Sequence, residues 1–446
     1  MSLHALPPVF VSLMRPLFFR LAERLEHRDV AAKVVEIERF YRQPIAHQKR
    51  QQNETLVRSL RQAVAHVPFH RKRISTALID KIERDPAYVA DLPVMTKADV
   101  TEAGTQLLNE KMNPASLKKM KTGGSTGHSA FFYYDQDAAD WSSATTWYCR
   151  SLYESWFNNK QLHFACEFEE NDRIDRFTWR RLGQELATNR DNCFTKDFSA
   201  SSLDRYLDEI RAARACLVHG HPSTLYTIAL RSLERFGENQ KVFSFFEPSG
   251  EVLYDYQRQT ISKAFACKIV NRYGLAEAGV VAYQTREDTQ SLRAMDHLVL
   301  FDELPSSVEI EATITTLHND AMPLVRYRSG DLVRMSRIEG ALHFDEIVGR
   351  THDLITIGER SFMTHTLMDV LDHRVGRVQE FQITKSRQSG KALISVVPFE
   401  GFDPAHAEKE IKRILGVELP IRLVSSEELI RVGHRGKFRH LVAVED

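Results

Sequence analysis

The sequence predicts an α/β fold with a large N-terminal domain and a small α+β C-terminal domain. At 446 residues the chain is too long for one ordinary hydrophobic core, so at least two domains are expected. After residue 127, strand-like and helix-like stretches alternate, which is typical of a sheet with crossover helices. From residue 295 to 349 the periodicity shortens toward two, which indicates a β-rich subdomain.

The N-terminal part of the chain predicts helices. From Leu17 to Leu78, apolar residues recur three and four positions apart among Arg, Glu and Gln. Basic patches at 47–50 and 70–73 are interpreted as solvated faces of these helices, because nucleic-acid binding would need interleaved aromatic residues. The stretch 91–99 predicts a turn, in which Thr96 is expected to cap a short helix that follows.

A stretch rich in glycine and hydroxyl groups, T-G-G-S-T-G, occupies residues 122–127. Its backbone amides and hydroxyls suit a polyphosphate, although such a cluster alone is also typical of a surface turn. Lys121 precedes the glycines, whereas the lysine of a Walker loop follows them. The spacing therefore disfavours a P-loop kinase or NTPase.

The middle of the chain predicts strands followed by helices. The strands are expected at 161–168, 215–218, 241–246 and 268–270, and a helix is expected at 223–236. In such sheets ligands bind at loops that leave the carboxyl ends of the strands. Three segments are predicted to be loops of this kind: 219–223, 247–251 and 273–277.

The segment after residue 351 predicts a separate small unit. It combines strands near 380–384 and 392–397 with helices near 367–373 and 403–415. This composition is typical of an α+β domain.

Composition excludes several classes of function. The 60 basic and 60 acidic residues give no net charge and no general attraction to nucleic acid or anionic lipid. The five cysteines are widely spaced without a C-x-x-C pair, so a reducing cytoplasm is expected rather than a disulfide framework or a thiolate zinc site. The apolar run 6–14 is shorter than the roughly 20 residues of a membrane span, so no integral membrane segment is expected.

Six short motifs follow one another in a familiar order. They are T-G-G-S-T-G at 122–127, S-G-E at 249–251, Y-G-L-A-E at 273–277, Y-R-S-G-D-L at 327–332, G-R-T-H-D-L-I at 349–355 and G-K-F-R at 436–439. This set resembles the acyl-adenylate-forming ligases. It is most similar to their short phenylacetate-coenzyme A ligase and capsular-polysaccharide-biosynthesis branch.

The resemblance implies an acid–thiol ligase (AMP-forming), similar to acyl-CoA synthetases. Such an enzyme uses ATP and Mg²⁺ to activate a small-molecule carboxylic acid as acyl-AMP and releases pyrophosphate. Coenzyme A is the expected acceptor, while an acyl carrier protein, an amine, and a catalytically quiet nucleotide-binding relative remain open alternatives. The large adenylation domain would span 1–350, with mixed sheets, flanking helices and a helical region at 1–90. The small, mobile domain would span 351–446.

The resemblance also implies site residues. The β- and γ-phosphates of ATP would be held by Thr122, Gly123, Gly124, Ser125, Thr126 and Gly127. The rest of the nucleotide site would comprise Ser249, Gly250, Glu251, Tyr273, Gly274 and Asp331, with Tyr273 against adenine and Asp331 on the ribose hydroxyls. Glu277 would bind Mg²⁺. Lys437 would bridge the carboxylate and the α-phosphate, and Arg350 would reach the ribose or phosphate region.

The acid pocket of this family is expected between the helix after the glycine-rich loop, the 219–223 turn and the 245–251 loop. Its candidate lining residues are Trp141, Tyr148, His221, Phe245 and Phe246, and their aromatic rings suggest an aryl acid. Three departures from the family pattern are present. Ala276 replaces a Thr or Ser whose hydroxyl contacts the α-phosphate, and His352 replaces the acidic pivot residue. His128 and Ser129 replace the Lys-Pro or similar pair that is common after the glycine-rich loop.

Overall fold

A computed structural model describes most of the chain. The described residues are 19–121, 130–153, 159–166, 188–195, 198–286, 289–302, 309–350, 354–357, 360–363, 367, 370–432 and 437–445. The phosphate-loop candidates at 122–127 and the pivot residue His352 lie outside them.

Helices dominate the N-terminal region, as predicted. They are α1 (Val30–Tyr41), α2 (Ile45–His66), α3 (Pro68–Arg73), α4 (Thr76–Arg84) and α5 (Lys97–Ala103). Thr96 caps α5 as expected, because its hydroxyl accepts from the Asp99 N–H at 3.3 Å while the Asp99 carboxylate accepts from the Thr96 N–H at 2.7 Å. The interpretation of 70–73 as a solvated face is wrong for His70, which is buried with its Nε2 2.8 Å from the Pro323 carbonyl oxygen.

A short hairpin and a long helix follow. The hairpin pairs β1 (Lys118–Lys121) with β2 (Phe131–Tyr134), and α6 spans Gln136–Ser151. The hairpin therefore flanks the glycine-rich stretch on both sides.

A parallel sheet forms the middle of the chain. Its strands are β3 (Gln161–Cys166), β4 (Arg190–Thr195), β5 (Leu217–Gly220), β6 (Phe245–Pro248) and β7 (Lys268–Ile269), in the order β4-β3-β5-β6-β7. Its helices are α7 (Ala200–Ala213), α8 (Pro222–Phe236) and α9 (Asp255–Phe265). The structure thus confirms the predicted alternation, but β5 and β6 start later than expected and run to Gly220 and Pro248, which pair in register.

An antiparallel sheet follows, as the period of two predicted. Its strands are β8 (Arg272–Leu275), β9 (Gly279–Tyr283), β10 (Leu292–Ala294), β11 (Val299–Phe301), β12 (Ile310–Thr316), β13 (Tyr327–Ile338) and β14 (Ala341–Arg350). Among the described strands the order is β11-β12-β13-β14-β10-β9-β8. The prediction that 273–277 is a loop leaving a parallel strand is wrong, because Tyr273 and Gly274 belong to β8 and pair with β9.

The C-terminal segment forms the predicted α+β unit. Its elements are β15 (Leu354–Ile357), β16 (Arg360–Met363), a π-helix (Leu371–Val375), β17 (Val378–Ser386), β18 (Ala392–Pro398), α10 (Pro404–Leu415), β19 (Ile421–Leu423), β20 (Arg431–Val432), β21 (Lys437–Phe438) and β22 (Leu441–Val444). The sheet has the order β19-β18-β17-β22, and α10 begins where the Asp403 carboxylate accepts from two backbone amides. The boundary at residue 350 stays a prediction.

Three of the hydrophobic cores among the described residues contain the sheets. One joins the antiparallel sheet to α1 and α6, a second surrounds the parallel sheet, and a third lies within the C-terminal unit. Tyr254 and Tyr256, on the large-domain side, pack against the third core. In the part of the chain that the structure describes, every helix is too short or too polar to cross a bilayer.

Candidate functional site

Two of the predicted ligand loops lie side by side at the carboxyl end of the parallel sheet. β5 and β6 are neighbours in that sheet. The loops that follow them are joined, because the Ser249 N–H donates to the Gly220 oxygen at 2.9 Å and the Ser223 N–H donates to Glu251 Oε2 at 3.2 Å. Gly250 has a φ of +83°, a conformation that glycine adopts without strain. Residues 221–223 and 249–251 thus follow the carboxyl ends of parallel strands as predicted, whereas 219–220 and 247–248 belong to the strands themselves.

The tail of the chain reaches the same place. The Phe438 N–H on β21 donates to Glu251 Oε1 at 3.0 Å. The preceding residue is Lys437, whose backbone pairs with Val432 across the β20–β21 hairpin. The side chain of Lys437 lies outside the described atoms. The structure therefore brings the backbone of the proposed catalytic lysine to the 249–251 loop.

Other contacts join the two domains around this point. The Tyr226 hydroxyl donates to the Gln379 carbonyl oxygen at 2.9 Å. The rings of Tyr254 and His440 lie 5.1 Å apart. The guanidinium of Arg431 lies 4.0 Å from the centre of the Phe198 ring. Helices and loops of the parallel-sheet region thus form the surface on which the small domain rests.

A buried tyrosine and aspartate link two strands of the antiparallel sheet. The Tyr273 hydroxyl donates to Asp331 Oδ2 at 2.7 Å, and the Tyr273 ring packs edge-on against Phe344. Burial, and then the Asp331 carboxylate, raise the pKa of Tyr273 well above its usual value. Asp331 faces Arg350 in the β13–β14 register, although the Arg350 side chain is outside the described atoms. The adenine and ribose roles of this pair stay predictions.

Glu277 lies in the turn between β8 and β9. Burial, and then the negative charge of Glu277, raise the pKa of Tyr134, so the acid and this phenol are near neighbours. The Tyr134 hydroxyl donates to the Ala276 carbonyl oxygen, which fixes the turn to β2. Among the described residues no group of three or more His, Cys, Asp or Glu side chains forms a metal cluster.

Sequence reasoning missed a buried ion cluster beside the ligand loops. Its centre is Glu247, at the end of β6, whose side chain is 0% exposed. Arg150 contacts its carboxylate at 2.6 Å, Arg272 at 3.1 Å, Tyr283 at 3.0 Å and His219 at 3.0 Å. Burial alone would raise the pKa of Glu247, but the two guanidiniums and the histidine hold it well below its usual value.

This cluster reaches the loop through a histidine. His219 Nε2 lies 3.5 Å from Ser249 Oγ, and its Nδ1 faces Glu247. Burial lowers the pKa of His219 to about 4, against the Glu247 hydrogen bond and with help from Arg272. The neutral imidazole of His219 therefore lies between the buried Glu247 carboxylate and the Ser249 hydroxyl. The sequence does contain a signal for this cluster, since Glu247 directly follows Phe245 and Phe246. A carboxylate within an apolar strand requires hydrogen-bonding or charged partners.

The acid-pocket candidates occupy several different places. Phe245 lines a cavity together with Tyr153, Cys216 and Val270. His221 begins the turn before α8, with its Nδ1 3.8 Å from Glu251 Oε1.

The other three candidates pack in or against hydrophobic cores. Phe246 is 0% exposed within the parallel-sheet core, so full burial keeps its ring from contacting a ligand in this arrangement. Trp141 stacks on His318 at 3.9 Å, and Tyr148 stacks on Tyr41 at 5.1 Å. The structure therefore does not gather the five candidates into one wall, and the position of the acid pocket stays a prediction.

Comparison with known proteins identifies the fold. No protein-family model matches the chain. Protein CapK of Staphylococcus aureus is 22% identical over 287 residues, which are 63% of this chain and 62% of CapK. The match thus spans less than two thirds of the length of CapK. A crystal structure of 2-hydroxyisobutyryl-CoA ligase in the postadenylation state, in complex with 2-HIB-AMP, has a TM-score of 0.69 at 17% identity over 90% of both chains. The chain has the fold of the acyl-adenylate-forming ligases.

The arrangement of this adenylate-forming fold also resembles one state more than another. The same 2-hydroxyisobutyryl-CoA ligase, with 2-HIB-AMP and CoA in the thioesterification state, has a TM-score of only 0.55 at 17% identity over 91% of both chains. The coverage is almost equal, so the difference reflects how the parts are arranged. The present chain superposes better on the postadenylation state. The predicted fold class is confirmed.

Proposed function

We propose that the protein is an ATP-dependent carboxylic acid ligase. It activates an acid as acyl-AMP with release of pyrophosphate and then transfers the acyl group to a thiol, with coenzyme A as the proposed acceptor. The observation that carries the proposal is the hydrogen bond from the Phe438 N–H to Glu251, which holds the backbone next to Lys437 at the ligand loops of the large domain. The likeness in fold to 2-hydroxyisobutyryl-CoA ligase supports the same reaction class.

Lys437 has the central role in this proposal. Attack of a carboxylate on the α-phosphorus concentrates negative charge where two anions meet. A compact ammonium group lowers that barrier by binding both reactants, and Arg350 adds a second cation from the strand opposite Asp331. Bound ATP supplies the phosphorus electrophile and the pyrophosphate leaving group.

The nucleotide site is proposed to use residues that the fold already holds in place. Asp331 is buried and accepts a hydrogen bond from the Tyr273 hydroxyl, so its carboxylate is oriented before a ligand binds. A two-oxygen acceptor of this kind suits a ribose diol. The amides and hydroxyls of 122–127 are proposed to bind the phosphates.

The described residues fit Mg²⁺ bound through substrate. Mg²⁺ in nucleotide sites usually takes one or two protein carboxylates and completes its shell with phosphates and water. Glu277 offers one carboxylate near the Tyr134 and Tyr273 phenols. When bound, the ion would neutralise triphosphate charge.

A cytoplasmic setting stays an expectation from the cysteine pattern.

The test is ATP–pyrophosphate exchange with a panel of aryl and aliphatic carboxylic acids. Wild type should show acid-dependent exchange, Lys437→Ala should lose at least about 100-fold, and Lys409→Ala, an exposed lysine of the same domain, should match wild type. Coenzyme A, amines and a phosphopantetheinyl carrier protein are then added with the best acid. Product with an amine alone would replace the thiol ligase by an amide ligase.

A negative screen is also decisive when nucleotide binding is measured by calorimetry. Binding of ATP without exchange on any acid would favour the catalytically quiet relative, for which the missing hydroxyl at Ala276 is the motivating feature. No binding of ATP or AMP would contradict both readings.

A further inference from the structure

The two carboxylate oxygens of Glu251 accept hydrogen bonds from backbone amides of the two domains. Oε1 accepts from the Phe438 N–H at 3.0 Å, and Oε2 accepts from the Ser223 N–H at 3.2 Å. The side chain is only 10% exposed, so water competes weakly for these bonds. Hydrogen bonds to an ionised acceptor are stronger than neutral ones. We name the Oε1 bond to Phe438 the tail contact.

The large-domain end of this arrangement is rigid. Ser223 lies in the first turn of α8, where backbone amides have no partner within the helix and where the helix dipole favours an anion. The bond to Ser223 therefore holds the Glu251 carboxylate in one orientation. That orientation directs the second oxygen at the small domain.

The small-domain end lies directly beside the proposed catalytic lysine. Phe438 follows Lys437 on β21, and the hairpin with β20 makes this strand a short, defined element. A bond at the Phe438 amide therefore limits where the backbone of Lys437 can lie. The rings of Tyr254 and His440 meet two residues beyond Phe438, and the contact of Arg431 with Phe198 reaches the same hairpin through the partner strand β20.

We propose that Glu251 is a positioning residue for the small domain. Its carboxylate holds the tail strand in the arrangement that serves adenylation, and the tail contact breaks when the small domain moves for acyl transfer. The inference rests on the proposed function. In it, Glu251 binds backbone amides of the protein instead of the nucleotide. The better superposition on a postadenylation state than on a thioesterification state agrees with a closed tail contact.

The first test needs neither the acid nor ATP. Amide hydrogen exchange is measured at single-residue resolution on the full chain, together with small-angle X-ray scattering. Glu251→Ala should speed exchange at Phe438 at least tenfold and increase the radius of gyration. Glu251→Gln keeps one acceptor oxygen and should lie between. Tyr226→Phe, which removes the separate bond to Gln379, should leave Phe438 exchange within twofold of wild type.

Each result supports or overturns the inference. Unchanged exchange at Phe438 and unchanged scattering in folded Glu251→Ala would overturn it. Faster exchange at Phe438 with unchanged scattering would reduce the tail contact to a local bond and would also overturn the positioning role. Thermal melting of each variant identifies loss of fold, and Glu251→Gln then serves as the deciding variant.

A second readout applies when an acid substrate is known. Glu251→Ala should lower ATP–pyrophosphate exchange at least tenfold and leave acyl transfer from supplied acyl-AMP within threefold of wild type. Equal loss in both half-reactions would contradict a role in positioning. If the protein proves not to be a ligase, the exchange and scattering measurements still test the tail contact separately.

Discussion

The buried cluster around Glu247 gives a prediction whose magnitude follows from the structure. Glu247→Gln preserves side-chain shape but removes the charge that Arg150, Arg272 and His219 share. The replacement amide presents N–H donors to guanidinium donors. Two cations that are only 11% and 16% exposed then lose their counter-charge.

The expected cost is about 3–5 kcal/mol of unfolding free energy, which is typical when one partner of a buried ion pair is removed. Because the pKa of Glu247 is depressed in the folded protein, its charge stabilises the fold above its unfolded pKa of about 4.5. That contribution is lost as the pH falls through the folded value. The difference between wild type and Glu247→Gln should therefore be largest near neutral pH and shrink in acid.

Urea unfolding followed by circular dichroism at pH 7 and at pH 4 measures this difference. Glu83→Gln is the matched control, because it removes the same kind of charge from an exposed pair with Arg61 and should leave the unfolding midpoint unchanged. A Glu247→Gln variant as stable as wild type at pH 7 would refute the claim that the Glu247 charge stabilises the fold through this buried cluster.

Three further predictions concern other parts of the molecule. Burial raises the pKa of Glu380 to about 7, so the stability that its protonation confers is present below about pH 4.5 and is lost as the pH rises through 7. In urea unfolding, the free energy of unfolding of Glu380→Gln should therefore exceed that of wild type by about 3 kcal/mol at pH 8.5 and equal it at pH 4.5. A difference that does not change with pH would contradict this. Phe246→Ala should cost about 3–5 kcal/mol, whereas Phe131→Ala, at a side chain 41% exposed, should cost much less by the same assay. Asp331→Asn should raise the calorimetric Kd for ATP at least tenfold relative to wild type, and an unchanged Kd would remove Asp331 from the site.

Local patterns in the sequence predict much of the fold. The helix cap at Thr96 rests on one side chain and its near neighbours, so it can be predicted without tertiary information. The period of two likewise predicts the antiparallel sheet. The ends of β5 and β6 were misplaced because pairing between Gly220 and Pro248 depends on a neighbouring strand.

The site could be predicted less completely, since its parts meet through long-range contacts. Motif order places Glu251 in a loop, but only the fold shows its carboxylate on the Phe438 amide, 187 residues away. The partners of Glu247 lie on four separate elements, so periodicity says nothing about them. Aromatic residues proposed for the acid pocket look the same in a sequence as core residues, and Phe246 is buried in the parallel-sheet core.

The central claim is that the C-terminal tail brings the Lys437 ammonium group to a nucleotide bound by the large domain. This claim concerns the adenylation half-reaction only. The most direct measurement compares Lys437→Ala with wild type in two assays: ATP–pyrophosphate exchange, and acyl transfer from supplied acyl-AMP to coenzyme A. The account predicts a loss of about 100-fold or more in exchange and transfer within threefold of wild type. Exchange at the wild-type rate, or an equal loss in both assays, would contradict it.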